Sequence, residues 1–541
     1  MSETTNKNCD WSAFTISLPA EILEQLQSQL AAPLFTAVSE HINRFQNELQ
    51  RAQLRVLQLE EKLRLRRIEM YGAGSEKLSN LQLELLEQEP GVSNVEVQAE
   101  SERPPLEGQA SEVVIQQHTR RKHRGRQTLP PELPRVERMI ACPPEQCICG
   151  QCGKTRPVMG YETSEQLEVE PAKYFVLVTK REKRAPCDCG MDAGVVTAPA
   201  PARIIEKGLV SDQIVIDTVV NKYCSHLPLY RQSQILEREA GLEISRATLD
   251  GWVMQVGALL APLVAVMGRE LVAGRYLQAD ETPVYVQMHD GRGRNHEAFL
   301  WQYGCPGGAT VFDFRLGRDR AGPKQFLQNF RGILQTDGYQ VYDKVGGAGM
   351  VHAACWAHSR RGFAKVVKLN PGDPVAGPIL ARINELFAID AEAREQGLSS
   401  ESRHQLRQQR APMLLDKIKA EIAAAKAGAL PGGTLEQACK YTEGLWPRLT
   451  RFLEHPELEL SNNLAENSMR PVAIGRKNWI HLGSPQAGPK VAAILSVVET
   501  CRRMKIRVRE YMAAVLPGLA NASIQRLPEL TPTAWAARQS Q

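Results

Sequence analysis

The sequence has no run of apolar residues approaching the roughly 18 that a membrane span needs, so a membrane protein is not expected. Its opening residues, Ser, Glu, Thr and Asn after the first Met, lack the basic region and apolar core of a secretory leader, which predicts a cytoplasmic chain. Nor is there a strong charge of one sign. A net charge of +5 is too small to argue a nucleic-acid partner, so the distribution of Lys and Arg has to carry that question. What is present is an ordinary globular composition, 43% hydrophobic and 23% charged, on 541 residues. That length exceeds what one hydrophobic core serves, and several domains are expected.

In the first region, residues 1–86, Phe35, Val38, Ile42, Phe45, Leu49, Ala52, Val56, Leu59 and Leu63 fall alternately three and four apart, a heptad seam. It reads as a coiled coil that joins chains, or as one amphipathic helix packed on its own protein; the glycines after Tyr71 should end it. Residues 87–134 run from an acidic, Pro- and Ser-containing linker into the basic HTRRKHRGRQ, whose Arg124 and Arg126 suit a narrow minor groove or a solvated linker. Six of the twelve cysteines crowd into the next region, 135–200, which in a reducing compartment favours a metal over disulfides. Cys149 and Cys152 form a CxxCG knuckle, while the second pair, Cys187 and Cys189, has one intervening residue instead of two. A four-cysteine zinc ribbon is expected, with unpaired thiols in a hairpin as the other reading.

Residues 201–270 are helical in texture. Leu229 to Glu239, a turn at Ala240, Gly241 and Leu242, and Ser245 as cap of a second helix to about Val253 have the outline of a helix-turn-helix; a helical hairpin in the core fits equally. Residues 271–365 turn to β, with YLQADETPVYVQM, EAFLWQYG and ATVFDFRLG as consecutive strands and ILQTDGYQVYD as a fourth strand ending in an aspartate. Residues 366–455 read as an all-helical insertion, 456–515 as helix again, and 516–541 as a C-terminal tail.

Two-metal phosphoryl transfer needs carboxylates converging on a pair of ions, and hard oxygen ligands select magnesium or manganese. In an α/β layout that begins with three strands, an aspartate on the first strand lies beside one ending the fourth when those strands are neighbours. Asp280 and Asp337 hold those places, and Glu466, on a helix that Ser461 or Asn462 would cap, is the candidate third ligand. Alone, such a triple is weak among 61 acidic residues. Arg470, four residues on, and then Arg476, Lys477 and Trp479 add phosphate-binding cations and a stacking aromatic, which suit a DNA substrate.

The blocks ADETPVYV, LQTDGYQVYD, CWAHSRR and LSNNLAENSMRPVAIGRKNW, in this order and spacing, resemble the catalytic region of the insertion-sequence-66 transposase family. GSEKL, the basic GR-containing linker, the cysteine segment and PLYRQSQI extend the resemblance over most of the chain. It implies a multidomain α+β protein. An RNase H-like α/β catalytic domain would carry Asp280, Asp337 and Glu466 as a DDE triad, with an all-α insertion before Glu466. It implies two divalent ions, a structural zinc, terminal-repeat and target DNA as partners, a homo-oligomer on the nucleoid, and small accessory proteins. Cys355 and His358 match a Cys-x-x-His pair of related transposases; Arg360 and Arg361 beside them are candidate phosphate contacts. A DNA-binding regulator without catalysis and an RNase H-like nuclease or resolvase are the other function classes.

Overall fold

The computed structural model describes residues 20–71, 135, 147, 151, 173–184, 195–206, 208–291, 293–370 and 373–539. Arg124, Arg126, Cys149, Cys152, Cys187 and Cys189 lie outside them, so the basic segment and the zinc ligands expected there are not described. Residues 110–180 form a compact unit apart from the rest of the chain, and its described part includes the irregular, exposed stretch 173–180.

In the larger unit, α1 (Ala20–Gln29) leads into α2 (Ala32–Tyr71); the glycines expected to end it lie outside the described residues. Among the described residues, the seam from Phe45 onward is largely uncovered: Phe45 is 70% exposed, Val56 54% and Leu63 61%, while Phe35, Val38 and Ile42 are half-buried. A neighbouring face of the same helix does bind the body. Gln58 donates to the Pro431 carbonyl at 2.9 Å, and Glu61 accepts from the Thr434 amide at 2.8 Å and from its hydroxyl. A two-residue antiparallel pair, β1 (Lys183–Arg184) with β2 (Val196–Thr197), follows.

The expected helical hairpin is present as α4 (Leu229–Ala240) after α3 (Asp212–Tyr223). Gly241 closes α4 at φ +63, and the Ser245 hydroxyl caps α5 (Arg246–Ala273) by accepting from the Thr248 amide at 3.1 Å. The second helix does not stop near Val253. Its apolar residues continue, and Leu249, Val256, Leu260, Leu263 and Met267 are buried, so this hairpin is built into the core. Helix α5 is, by length and composition, apolar enough to cross a membrane, the one such helix among the described residues, a run the sequence reading passed over.

Five strands make a mixed sheet in the order β5-β4-β3-β6-β7: β3 (Tyr276–Val286), β4 (His296–Gly304), β5 (Thr310–Arg315), then α6 (Ala321–Leu327), β6 (Ile333–Thr336) and β7 (Val351–Ala354). The first three strands form the antiparallel meander read from their texture, and β6 lies parallel to β3, with Gln278 opposite Gln335. Strand β7, parallel to β6, was not anticipated, because four residues are too short for alternation to show.

Beyond β7 a second hydrophobic core gathers α7 (Trp356–Leu369), α8 (Ala376–Glu395), α9 (Ser400–Ala427), α10 (Thr434–Gly444) and α11 (Trp446–Leu449). Helix therefore starts at Trp356, before the residue 366 at which the helical insertion was expected to begin, and Trp356 and Phe363 are buried in the core that these helices share with Tyr276, Ile333, Ala353 and Ala354 of the sheet. The chain returns through α12 (Asn463–Trp479) to α13 (Ala487–Arg503), which seals the sheet edge. The Thr500 hydroxyl accepts from the Thr310 amide and donates to its carbonyl, both at 3.0 Å, and the Ser496 hydroxyl accepts from the Phe312 amide at 2.8 Å. The last residues are not a loose tail. α14 (Val508–Leu519), α15 (Leu527–Leu530) and α16 (Pro532–Gln539) fold back, with Tyr511 edge-on to Trp535 and donating to the Leu530 carbonyl at 2.7 Å.

Candidate active site

A buried amide network decides where α12 begins. Gln278 on β3 and Gln335 on β6 sit side by side. Gln278 donates to the Ser461 carbonyl at 3.0 Å, Gln335 to the Glu459 carbonyl at 2.7 Å, and the Tyr276 hydroxyl to the Gln335 side-chain oxygen at 2.6 Å. The turn before α12 is thereby fastened across the two central strands, and Asn462 adds a bond from its amide to the Ala279 carbonyl at 3.4 Å. Asn462 is the N-cap residue but makes no side-chain cap hydrogen bond; its side chain holds the strand instead. Glu466, in the first turn of α12, is carried over the sheet.

Asp280 shares its face of β3 with Gln278 and Thr282, since side chains alternate along a strand. Its carboxyl titrates well above the usual range, first because burial disfavours the charge, then because of the negative charges of Glu466, Glu281 and Asp337. The other two expected acids are thus both within electrostatic reach of Asp280. Asp337 follows β6 in a turn where its carboxylate accepts from the Tyr339 amide at 2.8 Å. Gly338 has φ +91, and a Cβ there would lie 2.4 Å from Leu445 Cδ1, so only glycine fits; Tyr441 donates its hydroxyl to the Asp337 carbonyl.

Glu281 points to the other face. Arg318 donates to it at 2.6 and 3.1 Å and Tyr342 at 2.7 Å, which identifies it as a bracing group between β3 and the segment after β6. Burial nonetheless pushes its acid upward.

Glu466 accepts from Arg361 Nη2 at 2.8 and 2.6 Å, and His358 Nε2 lies 3.5 Å from its Oε1. Cys355, at the start of α7, accepts the Asn462 amide on its sulfur at 3.4 Å, and burial followed by the charge of Glu466 pushes its thiol up to about 12. Burial lowers the titration of His358. One ligand atom from each of Cys355, His358 and Glu466 lies within 4.8 Å of the others, so the Cys-x-x-His pair, too small alone for a tetrahedral site, has a third donor.

The remaining candidates separate. Arg470 and Lys477 are exposed along α12. Arg476 braces β3, donating to the Thr282 hydroxyl at 3.1 Å and the Pro283 carbonyl at 2.6 Å. Trp479 is half-buried with its indole over Gly475. Arg360 is buried and donates to Asn384 at 2.6 Å, while Arg361 reaches Glu466. A cavity of about 870 Å³ at the other end of β3 is lined by Arg275, Tyr276, Arg403 and Glu459, and none of the three acids lines it.

A mostly helical α+β chain with such a mixed sheet is consistent with a transposase domain, and comparison with known proteins gives the family. Residues 207–490 match the family model "Transposase IS66 family", and residues 58–138 match "Transposase C of IS166 homeodomain". Two proteins of Sinorhizobium fredii (strain NBRC 101917 / NGR234) are similar along most of their length. "Uncharacterized protein y4jD" is 31% identical over 87% of this chain and 93% of its own, and "Uncharacterized protein y4hP" is 29% identical over 89% of each. The chain belongs to the IS66 transposase family. Membership implies a DNA partner, cleavage of nucleic acid and use of a divalent metal.

Proposed function

We propose that the protein is a DDE-type transposase whose sheet is RNase H-like and whose Asp280, Asp337 and Glu466 hold two magnesium or manganese ions. The observation that carries this reading is the placement of Asp280 on one strand and Asp337 at the end of its parallel neighbour with the helix bearing Glu466 pinned over them, where burial and then the charges of Glu466, Glu281 and Asp337 raise the titration of Asp280. The donor set fits such ions, because hard carboxylate oxygens come together there from separate elements, and no protein cation is paired with the carboxyl of Asp280 among the described residues. When bound, the ions supply activation of the attacking oxygen and stabilisation of the leaving oxygen.

The protein's own part is placement. The Gln278 and Gln335 network fixes the helix that bears Glu466, the Asx turn fixes Asp337, and the Arg318 and Tyr342 bracket keeps Glu281 away from the substrate face. Arg470 and Lys477 extend the acidic centre with exposed cations for the phosphate backbone. The reaction is hydrolysis at the element end followed by in-line attack of the freed 3′-hydroxyl on target DNA, with no covalent protein intermediate.

The test is Asp337→Asn, checked for folding and for binding to element ends. We expect DNA binding to persist. Magnesium-dependent cleavage should fall by more than the roughly 10–100-fold typical of losing a group that hydrogen-bonds to a metal ligand. Retained cleavage overturns the triad; in the unaltered protein, binding without nicking supports a regulator, and cleavage without joining a nuclease or resolvase. We also propose a four-cysteine zinc site at Cys149, Cys152, Cys187 and Cys189, which metal analysis of the folded protein would test, and small accessory proteins of the same element as partners.

A further inference from the structure

Among the three acids, Glu466 is the one whose two oxygens are both occupied by a cation of the protein. A single nitrogen of Arg361, Nη2, lies 2.6 and 2.8 Å from them, and the same nitrogen reaches the Asn463 side-chain oxygen at 3.2 Å. Arg361 springs from α7, a different element from the one bearing Glu466, and its side chain is 35% exposed, so it has somewhere else to go. A guanidinium on both oxygens and a divalent cation on the same oxygens exclude each other, by occupancy and by charge.

We propose that Arg361 is a latch on the third carboxylate. It closes on Glu466 when no ion is bound and is drawn off by a phosphate of the DNA backbone, so that metal loading and substrate binding favour one another. This rests on the metal-site reading given above. The chemistry is a competition between two anions for one guanidinium: Arg361 binds a carboxylate or a phosphodiester oxygen in similar fashion, and only the first blocks the metal site. Coupling of this kind is reciprocal. Whatever DNA adds to metal affinity, metal adds to DNA affinity. His358, 3.5 Å from Glu466, stays beside the carboxylate when the arginine leaves, and so acts as a positioning residue.

The experiment is a titration of the full-length protein with Mn²⁺, followed by electron paramagnetic resonance, with and without a duplex oligonucleotide. Without DNA, Arg361→Gln should bind Mn²⁺ more tightly than the unaltered protein, within the roughly 5–150-fold span of ordinary coupling between sites. Addition of DNA should tighten Mn²⁺ binding in the unaltered protein and do so much less in the variant. Arg361→Lys, which keeps the charge on a shorter side chain and loses the second contact to Asn463, should fall between them. Equal or weaker Mn²⁺ binding by a folded Arg361→Gln, or an undiminished response to DNA, overturns the latch. Asp280→Asn separates the two levels: if it removes the Mn²⁺ site while Arg361→Gln changes nothing, the latch alone fails. If it leaves Mn²⁺ binding intact, the metal site and the latch fail together.

Discussion

Asp280 is an acid held where its charge is unwelcome, and this sets a pH dependence. Its folded-state titration lies above the unfolded value through burial and then through the charges of Glu466, Glu281 and Asp337. The protonated form contributes stability fully below the unfolded pKa of about 3.9, and that contribution is lost as pH rises through the folded value. In chelator at neutral pH, Asp280→Asn should therefore melt above the unaltered protein by calorimetry, with the gap closing toward pH 4. Added magnesium should raise the melting temperature of the unaltered protein and narrow the gap from the other side. A variant melting lower at neutral pH would contradict the crowding of acids. At this scale the sequence marked the acids by their flanking residues but not what fixes them. The bonds of Gln278 to Ser461 and of Arg318 to Glu281 span 183 and 37 residues, and no local period signals such partners.

The helices of the insertion show why element existence was readable and element role was not. Spread charges and the lack of strand texture announced helices throughout this region, and nothing there marked Arg403 and Arg407, four apart on α9, as core residues. Both are buried: Arg407 donates to Asp390 at 2.8 and 2.5 Å and to the Leu458 carbonyl at 2.8 Å, and Arg403 pairs with Glu459. These arginines tie the insertion to the segment leading back to α12, so they support the approach of Glu466 at a distance. Arg407→Ala removes the guanidinium that both oxygens of buried Asp390 accept from, and should cost about 3–5 kcal/mol in denaturant unfolding. A loss below about 1 kcal/mol, the range of an exposed pair, would mean that the pair is solvated in solution. Helix α5 taught the opposite lesson. Its cap at Ser245 was legible because capping is local chemistry, whereas its length was set by the core it enters.

For the molecule as a whole, the seam on α2 is the feature most open to test. From Phe45 onward the seam's apolar residues lie largely uncovered while Gln58 and Glu61 face the body, which supports the reading that a second copy of the chain covers them. Leu49→Glu with Leu59→Glu should shift sedimentation toward the single-chain mass while leaving the unfolding of the catalytic body in place. An unchanged mass would favour the reading of a lone amphipathic helix. The spacing of the seam was visible in sequence; which face would be left open was not, because that depends on a contact with residues 373 positions away.

That contact has a mechanical side. Gly433 brings no side chain to the start of α10, and Glu61 stands in as the anion at that helix N-terminus. α10 in turn lies against α7, with Ala438 3.1 Å from where a Cβ on Gly362 would be, and Gly362 follows Arg361 directly. The N-terminal helix is therefore connected in series with the arginine on Glu466, through two rigid rods and one carboxylate joint. A torque applied to α2 by a paired copy would arrive at Glu466 without passing through the sheet.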